Sequence, residues 1–278
     1  MAKEVPVPVK PEKSPASRPT KKKTATTRKL QVLNRKGGAG KTTTVSNLAE
    51  VWGQKGYKVL AVDMDANGSL TKRMGIRPAQ LPASIYELFM SPESLIKTRD
   101  VILQPEHLSF DLLPGSENLS YAEPSLLVAS KQRALADRLA EVEDDYDMVI
   151  IDTAGHQSFL TSLVHVYADE VVIPMEVDKD HWDQLVTTMA SVDKVRNDGL
   201  NPKIRPRAIF INRYREGTTF GNSLLKKLKE DYPELLFATV TRENIRAKEA
   251  AAYGQPIVNY DPTGQPAYAY IKLAEFLE

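Results

Sequence analysis

Residues 34–44, Asn34-Arg35-Lys36-Gly37-Gly38-Ala39-Gly40-Lys41-Thr42-Thr43-Thr44, join an apolar run to an amphipathic stretch and constrain the fold more than any other segment. Glycines at 37, 38 and 40 let backbone N–H groups turn inward around a polyphosphate without Cβ obstruction. Lys41 can reach the β- and γ-phosphates, and the Thr42 hydroxyl can ligate Mg2+. Such a loop opens a helix, whose N-terminal dipole adds attraction for anions. The common pattern G-x-x-x-x-G-K-[ST] asks for glycine where this chain has Arg35, and what remains is K-G-G-x-G-K-T with an extra lysine, Lys36. A plain glycine-rich turn is the alternative, and the strand before the loop and the helix after it argue against that.

Composition narrows the class. A chain of 278 residues suits one large α/β domain. With no cysteine, disulfides, thiolate metal sites and cysteine-ligated iron–sulfur clusters are excluded. No apolar run approaches the roughly 18 residues of a membrane-spanning helix, and no signal-peptide core precedes residue 30. A cytoplasmic protein is expected. The net charge of +1 hides an asymmetry, because residues 1–29 hold nine lysines and arginines against Glu4 and Glu12. That segment also carries Pro6, Pro8, Pro11, Pro15 and Pro19 and nothing apolar larger than valine between Met1 and Leu30. It cannot bury enough surface to fold, so residues 1–28 are expected to form a disordered basic tail ahead of a single domain at 29–278. The tail either contacts phosphate backbones or serves as a solvated spacer.

From Lys29 onward strand-like runs alternate with helical patterns. Strands are expected at 30–34, 59–63, 108–113, 148–152, 170–176, 207–212 and 236–240, and helices at 41–54, 85–89, 126–142, 159–166, 183–197, 221–231, 245–253 and 267–277. This order implies an α/β fold, a doubly wound and mostly parallel sheet with helices on both faces. Ligands of such sheets collect at the carboxyl ends of the strands. Two further segments end there. The run Asp147-Met148-Val149-Ile150-Ile151-Asp152 delivers Asp152 on four apolar residues, suited to hold a water on Mg2+. The run Lys58–Asp63 leads into Asp63-Met64-Asp65-Ala66-Asn67-Gly68-Ser69.

The loop, these two segments and a C-terminal stretch together resemble the ParA/Soj/MinD group of deviant Walker A P-loop ATPases, most of all its ParA/Soj-type partition ATPases. The C-terminal part is Thr241-Arg242-Glu243-Asn244-Ile245-Arg246-Ala247-Lys248-Glu249-Ala250, then Tyr253-Gly254-Gln255-Pro256-Ile257-Val258 and Tyr260-Asp261-Pro262. The resemblance spans roughly residues 29–278. It implies ATP and Mg2+ as ligands, a cradle of Lys36, Gly37, Gly38, Ala39, Gly40, Lys41, Thr42 and Thr43, and Thr42 and Asp152 at the metal. It implies that Lys36 crosses a dimer interface to the partner's nucleotide and that Asp65 orients the attacking water. Here Ala66, Asn67 and Ser69 replace the family's Pro, Gln and Asn, which predicts a looser loop; Asp65 as a simple helix cap is the alternative. Asn212 and Arg213 resemble the family's adenine-side pair, and Ile211–Arg215 lacks the aspartate that reads guanine, so ATP rather than GTP is expected. Gly155 matches a γ-phosphate-sensing position, and His156 reads as a solvated loop residue.

The resemblance further implies non-specific DNA binding by the ATP-bound homodimer, nucleoid association, and hydrolysis stimulated by a ParB-like or other partner. Arg246 matches a family DNA-binding arginine, while a second such position falls on Gly217. Arg213, Arg215, Lys226, Lys227 and Lys229 lie close by in sequence and either supply the missing charge or form an ordinary solvated face. A MinD-like membrane regulator is the alternative. It would need a basic amphipathic C-terminal helix, whereas Tyr268–Glu278 offers one lysine against two glutamates, so no membrane partner is expected. A metabolic ligase or amidase would need a substrate pocket that the sequence does not display, and a site-specific repressor would need a helix-turn-helix.

Overall fold

The computed structural model describes residues 22–212, 219–237 and 245–278. Seven parallel strands make one sheet: β1 (Arg28–Val32), β2 (Val59–Met64), β3 (Asp111–Leu113), β4 (Met148–Thr153), β5 (Glu170–Met175), β6 (Arg205–Ile211) and β7 (Leu236–Phe237). Their order is β3-β2-β4-β1-β5-β6-β7. The chain therefore reverses its direction of winding around β1, and the crevice at such a switch point is where α/β sheets bind ligands. Central strands are apolar on both sides because both faces are covered. In β4, Met148 and Ile150 pack on one face with α1 (Lys41–Gln54), α2 (Ser69–Arg73) and α12 (Gln265–Leu277). Val149 and Ile151 pack on the other face with α3 (Ile85–Met90), α5 (Leu119–Val128), α6 (Ala134–Leu139) and α7 (Phe159–Tyr167). Beyond β1, the second face is covered by α8 (Lys179–Asn197) and α9 (Thr219–Asp231).

Two expectations change. One helix over 126–142 is instead α5 and α6, and the break falls at Ser130, which adopts φ 51. α5 begins upstream of Pro124 and tolerates it because Ser120, whose carbonyl loses its in-helix donor, faces solvent. The strand expected over 108–113 keeps only its last three residues. Buried Glu50 holds Ser109 through its backbone N–H (2.9 Å) and hydroxyl (3.0 Å), drawing residues 108–110 out of register. The remaining elements fall within two residues of expectation at most ends, although α8 starts four residues early, at Lys179, under an Asp178 cap. The later part of the strand expected at 236–240 lies outside the described residues.

The last residues of the basic segment join the folded body. Asp147, ahead of β4, accepts from the backbone N–H groups of Lys23, Thr24 and Lys58 at 2.6–2.8 Å, which holds its carboxylate below the usual range despite some burial. Among the described residues no helix is long and apolar enough to cross a membrane.

His165 on α7 is buried, and its Nδ1 lies 2.6 Å from Gln31 Oε1 on β1. Burial, with the charge of Arg35, pushes its pKa down to about 4. The native state therefore binds fewer protons than the unfolded chain between pH 6.5 and about 4. That contribution to stability is complete above pH 6.5 and is lost as pH falls through this window, about 3 kcal/mol across it. Urea denaturation should show this slope in the wild type and a flatter profile in His165→Asn. Equal pH slopes for the two proteins would rule the assignment out.

Candidate nucleotide site

The loop after β1 is shaped from below by Asn34. Its side-chain amide donates to Pro174 O (2.7 Å) and its carbonyl accepts from Lys36 N (2.8 Å). α1 then opens with Gly40 as N-cap at φ 92, a backbone conformation that disfavours a side chain. Asn212, at the end of β6, closes over the loop and donates to Ala39 O at 3.2 Å. A Cβ at Gly40 would collide with the Asn212 amide. Gly37, Gly38, Gly40, Lys41, Thr42 and Thr43 line a cavity of about 600 Å3 shared with Asp65, Gly155 and Asn212.

Three acidic groups gather at the strand ends. Asp63 and Asp152 are register partners on β2 and β4, both buried. Burial, reinforced by the neighbouring Asp63 charge, lifts the Asp152 pKa well above the carboxylate range; hydrogen bonding by Thr42 opposes it. Burial also raises Asp63 to about 6, against hydrogen bonds from the backbone and hydroxyl of Thr71 (2.8 and 2.7 Å). Lys41 is buried too, which lowers its pKa, while Asp152 and Asp65 act to restore it. Thr42 Oγ1 donates to Asp152 Oδ2 at 2.7 Å, and Asp152 Oδ1 is buried without a hydrogen-bond partner. An orphaned carboxylate oxygen beside a threonine hydroxyl fits Mg2+ held through Thr42 directly and through water on Asp152. Bound there, the ion would supply positive charge to neutralise the phosphates.

Switch-like groups are present, with one correction. Asp65 Oδ1 accepts from Asn67 N (2.9 Å) and Asn67 Nδ2 (3.0 Å), and Oδ2 accepts from Ser69 Oγ (2.7 Å). The two substituted residues thus tether the loop to Asp65 rather than loosening it. The cap of α2 is Gly68, not Asp65. Gly155 lies against Lys41 Nζ, so a side chain there would crowd the ammonium, and His156 is exposed as expected.

Lys36 departs from its own cavity. Its ammonium sits 3.2 Å from Asp178 and 3.4 Å from Asp180 at the start of α8, and 3.4 Å from His181 Nδ1. Burial acts to lower its pKa, but these two aspartates carry it above the ordinary lysine value. Among the expected DNA-contacting residues, Arg246 is half-exposed and lies 3.7 Å from Asp261. Lys226 and Lys227 on α9 lie 3.8 Å from Glu230 and Asp231, and Lys227 also lies over the Trp182 ring. Lys229 is on the same helix, and Arg213 and Arg215 lie outside the described residues. Sequence reasoning assigned no role to Asp63, Thr71 or Arg73. The signal for the first two was the repeated aspartate at a strand end eight residues before a threonine, which becomes meaningful only when α2 folds back.

A phosphate cradle at a helix start, a buried acidic metal niche and a switch-type acidic loop on a doubly wound sheet define a P-loop ATPase that takes ATP and Mg2+. Comparison with known proteins agrees. A family model described as an AAA domain matches residues 27–205. The chain is 32% identical to the chromosome-partitioning ATPase Soj of Thermus thermophilus, over 90% of this chain and 95% of that one. It is 30% identical to the sporulation initiation inhibitor protein Soj of Bacillus subtilis, over 88% and 96%. Among solved structures, it resembles a cobyrinic acid a,c-diamide synthase from Mycobacterium smegmatis with bound ATP analogue and magnesium, with a TM-score of 0.76, 26% identity and coverage of 90% and 93%. The chain belongs to the ParA/Soj-type family of partition ATPases.

Gly40→Ala tests the cradle. Left-handed strain costs about 1–3 kcal/mol and displaces Asn212, so ADP affinity should fall roughly tenfold to a hundredfold. Calorimetric titration giving a wild-type dissociation constant would contradict this geometry.

Proposed function

We propose that this chain is a dimerising switch: two copies pair around ATP, bind DNA without sequence preference, and position DNA or a protein cargo until a partner protein stimulates hydrolysis. One observation carries the reading. Lys36 belongs to the phosphate loop, yet its ammonium is held by Asp178 and Asp180, neither of which lines the cavity. Exposed ion pairs of that kind contribute only about 0.2–1 kcal/mol each. Charge-assisted hydrogen bonds to a phosphate contribute about 1.5–3 kcal/mol. Release from Asp178 and Asp180 toward a partner's triphosphate is therefore favourable once two chains face each other.

In this scheme Lys41 holds the β- and γ-phosphates of the same chain, Thr43 and Asn212 flank the nucleotide, and Arg213 completes the base side. Asp65 exchanges Asn67 and Ser69 for the attacking water, which couples hydrolysis to rearrangement of that loop. Pairing in turn aligns the cationic groups of both copies. Arg246, Arg215, Lys226, Lys227 and Lys229 would face DNA, and the long pairs around Lys226, Lys227 and Arg246 are weak enough to yield to phosphates. The basic N-terminal segment adds either further phosphate contacts or a spacer, and association with the nucleoid follows. A MinD-like reading is disfavoured because α12 buries Ala267, Tyr270, Leu273 and Leu277 in the core rather than offering them to lipid.

Sedimentation with a non-hydrolysable ATP analogue should give a dimer for the wild type and a monomer for Lys36→Ala, with ADP affinity unchanged. DNA retention should require ATP, and nucleotide-free protein that binds DNA equally well would end the switch model. Replacing Lys226, Lys227 and Lys229 by Gln should lower the slope of log affinity against log salt by about 3 per subunit. An unchanged slope would remove α9 from the DNA surface.

A further inference from the structure

Arg73 ends α2, the short helix that follows the switch loop, and its side chain forms part of the wall of the nucleotide cavity. Around it stand Ala247, Lys248 and Ala251 of α10 (Ile245–Ala252), and Pro266 and Tyr270 of α12. Among the described residues its side chain makes one hydrogen bond, a long one from Nη2 to Ala247 O at 3.4 Å, and its buried Nε has no partner. Among the described residues no carboxylate lies within ion-pair distance of the guanidinium.

Several other arginines among the described residues have firmer partners. Arg138 donates to the carbonyls of Ile96 and Ser91. Arg28, Arg205 and Arg207 share Glu170, and Arg207 also reaches the carbonyls at the end of α12. Arg73 is part-buried as a residue, but its Nε is held from water without an acceptor among the described residues, a cost that disappears when an anion arrives. Burial lowers its pKa, with the phenol of Tyr270 and the carboxylate of Asp152 as the nearest opposing influences. Asp152 is the magnesium carboxylate, so the guanidinium lies within electrostatic reach of the phosphate chain. The planar fork of arginine suits two phosphate oxygens at once, which the point charge of lysine does not.

We infer that Arg73 is a second cation for the nucleotide, gripping the phosphates of ADP and ATP from the wall formed by α2, α10 and α12 while Lys41 holds them from the loop. This rests on the assignment of the cavity as the ATP site. It makes α2 a load-sensing element, because the helix that follows the switch loop would itself be anchored to the ligand. Nucleotide binding and the position of Asp65 would then be linked through the seven residues between Asp65 and Arg73.

The test uses the full chain and fluorescent ADP, which avoids coupling to dimerisation. Arg73→Met should weaken Mg-ADP binding by about tenfold to a hundredfold, the range of one charge-assisted bidentate contact. Arg73→Lys should recover part of that loss. Without nucleotide, Arg73→Met should melt at or above the wild-type temperature, because only one long hydrogen bond is lost, and its ADP-induced rise in melting temperature should shrink. Wild-type ADP affinity in Arg73→Met would overturn the inference, as would a fall in melting temperature without nucleotide that accounts for the weaker binding. Lys41→Ala separates the two readings: if it too binds ADP normally, the assignment of the cavity has failed, whereas if it loses ADP and Arg73→Met does not, only the role of Arg73 has.

Discussion

The pairing of Asp152 with Thr42 is the contact around which the rest is arranged. Asp152 comes at the end of a strand with both neighbours in place, next to Asp63 in register, so its charge is both desolvated and repelled. Two adjacent buried carboxylates cannot both ionise comfortably without a cation. Lys41 supplies part of that compensation, and Mg2+ would supply the remainder. The same burial that makes the site costly when empty makes it strong when occupied, since charges interact more in a poorly solvated niche.

The sheet order explains why these groups can meet. β1 lies between β4 and β5, so the loop leaving β1 has the acid of β4 on one side and the amide of Asn212, delivered by β6, on the other. Apolar residues on both faces of the central strands hold those carboxyl ends rigid. Rigid strand ends and short polar loops are the usual division of labour in such folds. Here the loops themselves are tied down by side chains, Asn34 below the cradle and Asp65 within the switch segment.

Around this rigid centre the contacts are graded in strength. The buried partners of Asp63 fix α2 against the sheet. The pairs that hold Lys36 are part-exposed and weak, which suits a group that must change partners. Asp65 is intermediate: three hydrogen bonds hold its carboxylate, from Asn67 and from Ser69 at the start of α2, so its release needs only local rearrangement. The proposed conversion of triphosphate occupancy into pairing needs this gradient, since a group bound too firmly could not report the ligand.

The phosphate loop, the parallel α/β architecture and the acidic strand ends were legible in residues 34–44, 147–152 and 58–65, because glycine spacing and uninterrupted apolar runs have few other uses. Local pattern also located α1 to the residue. It failed where a distant side chain intervened, as when Glu50 pulled Ser109 out of β3, or where Ser130 broke a helix that periodicity would continue. The sequence by itself determined that a polyphosphate is bound at a helix start with a second lysine in reserve. Tertiary structure alone decided that this lysine rests on Asp178 and Asp180, that Asn67 and Ser69 secure Asp65, and that Arg73 in the cavity wall meets no carboxylate among the described residues. Those outcomes depend on which helices pack side by side, and no spacing along the chain encodes a distance across the sheet.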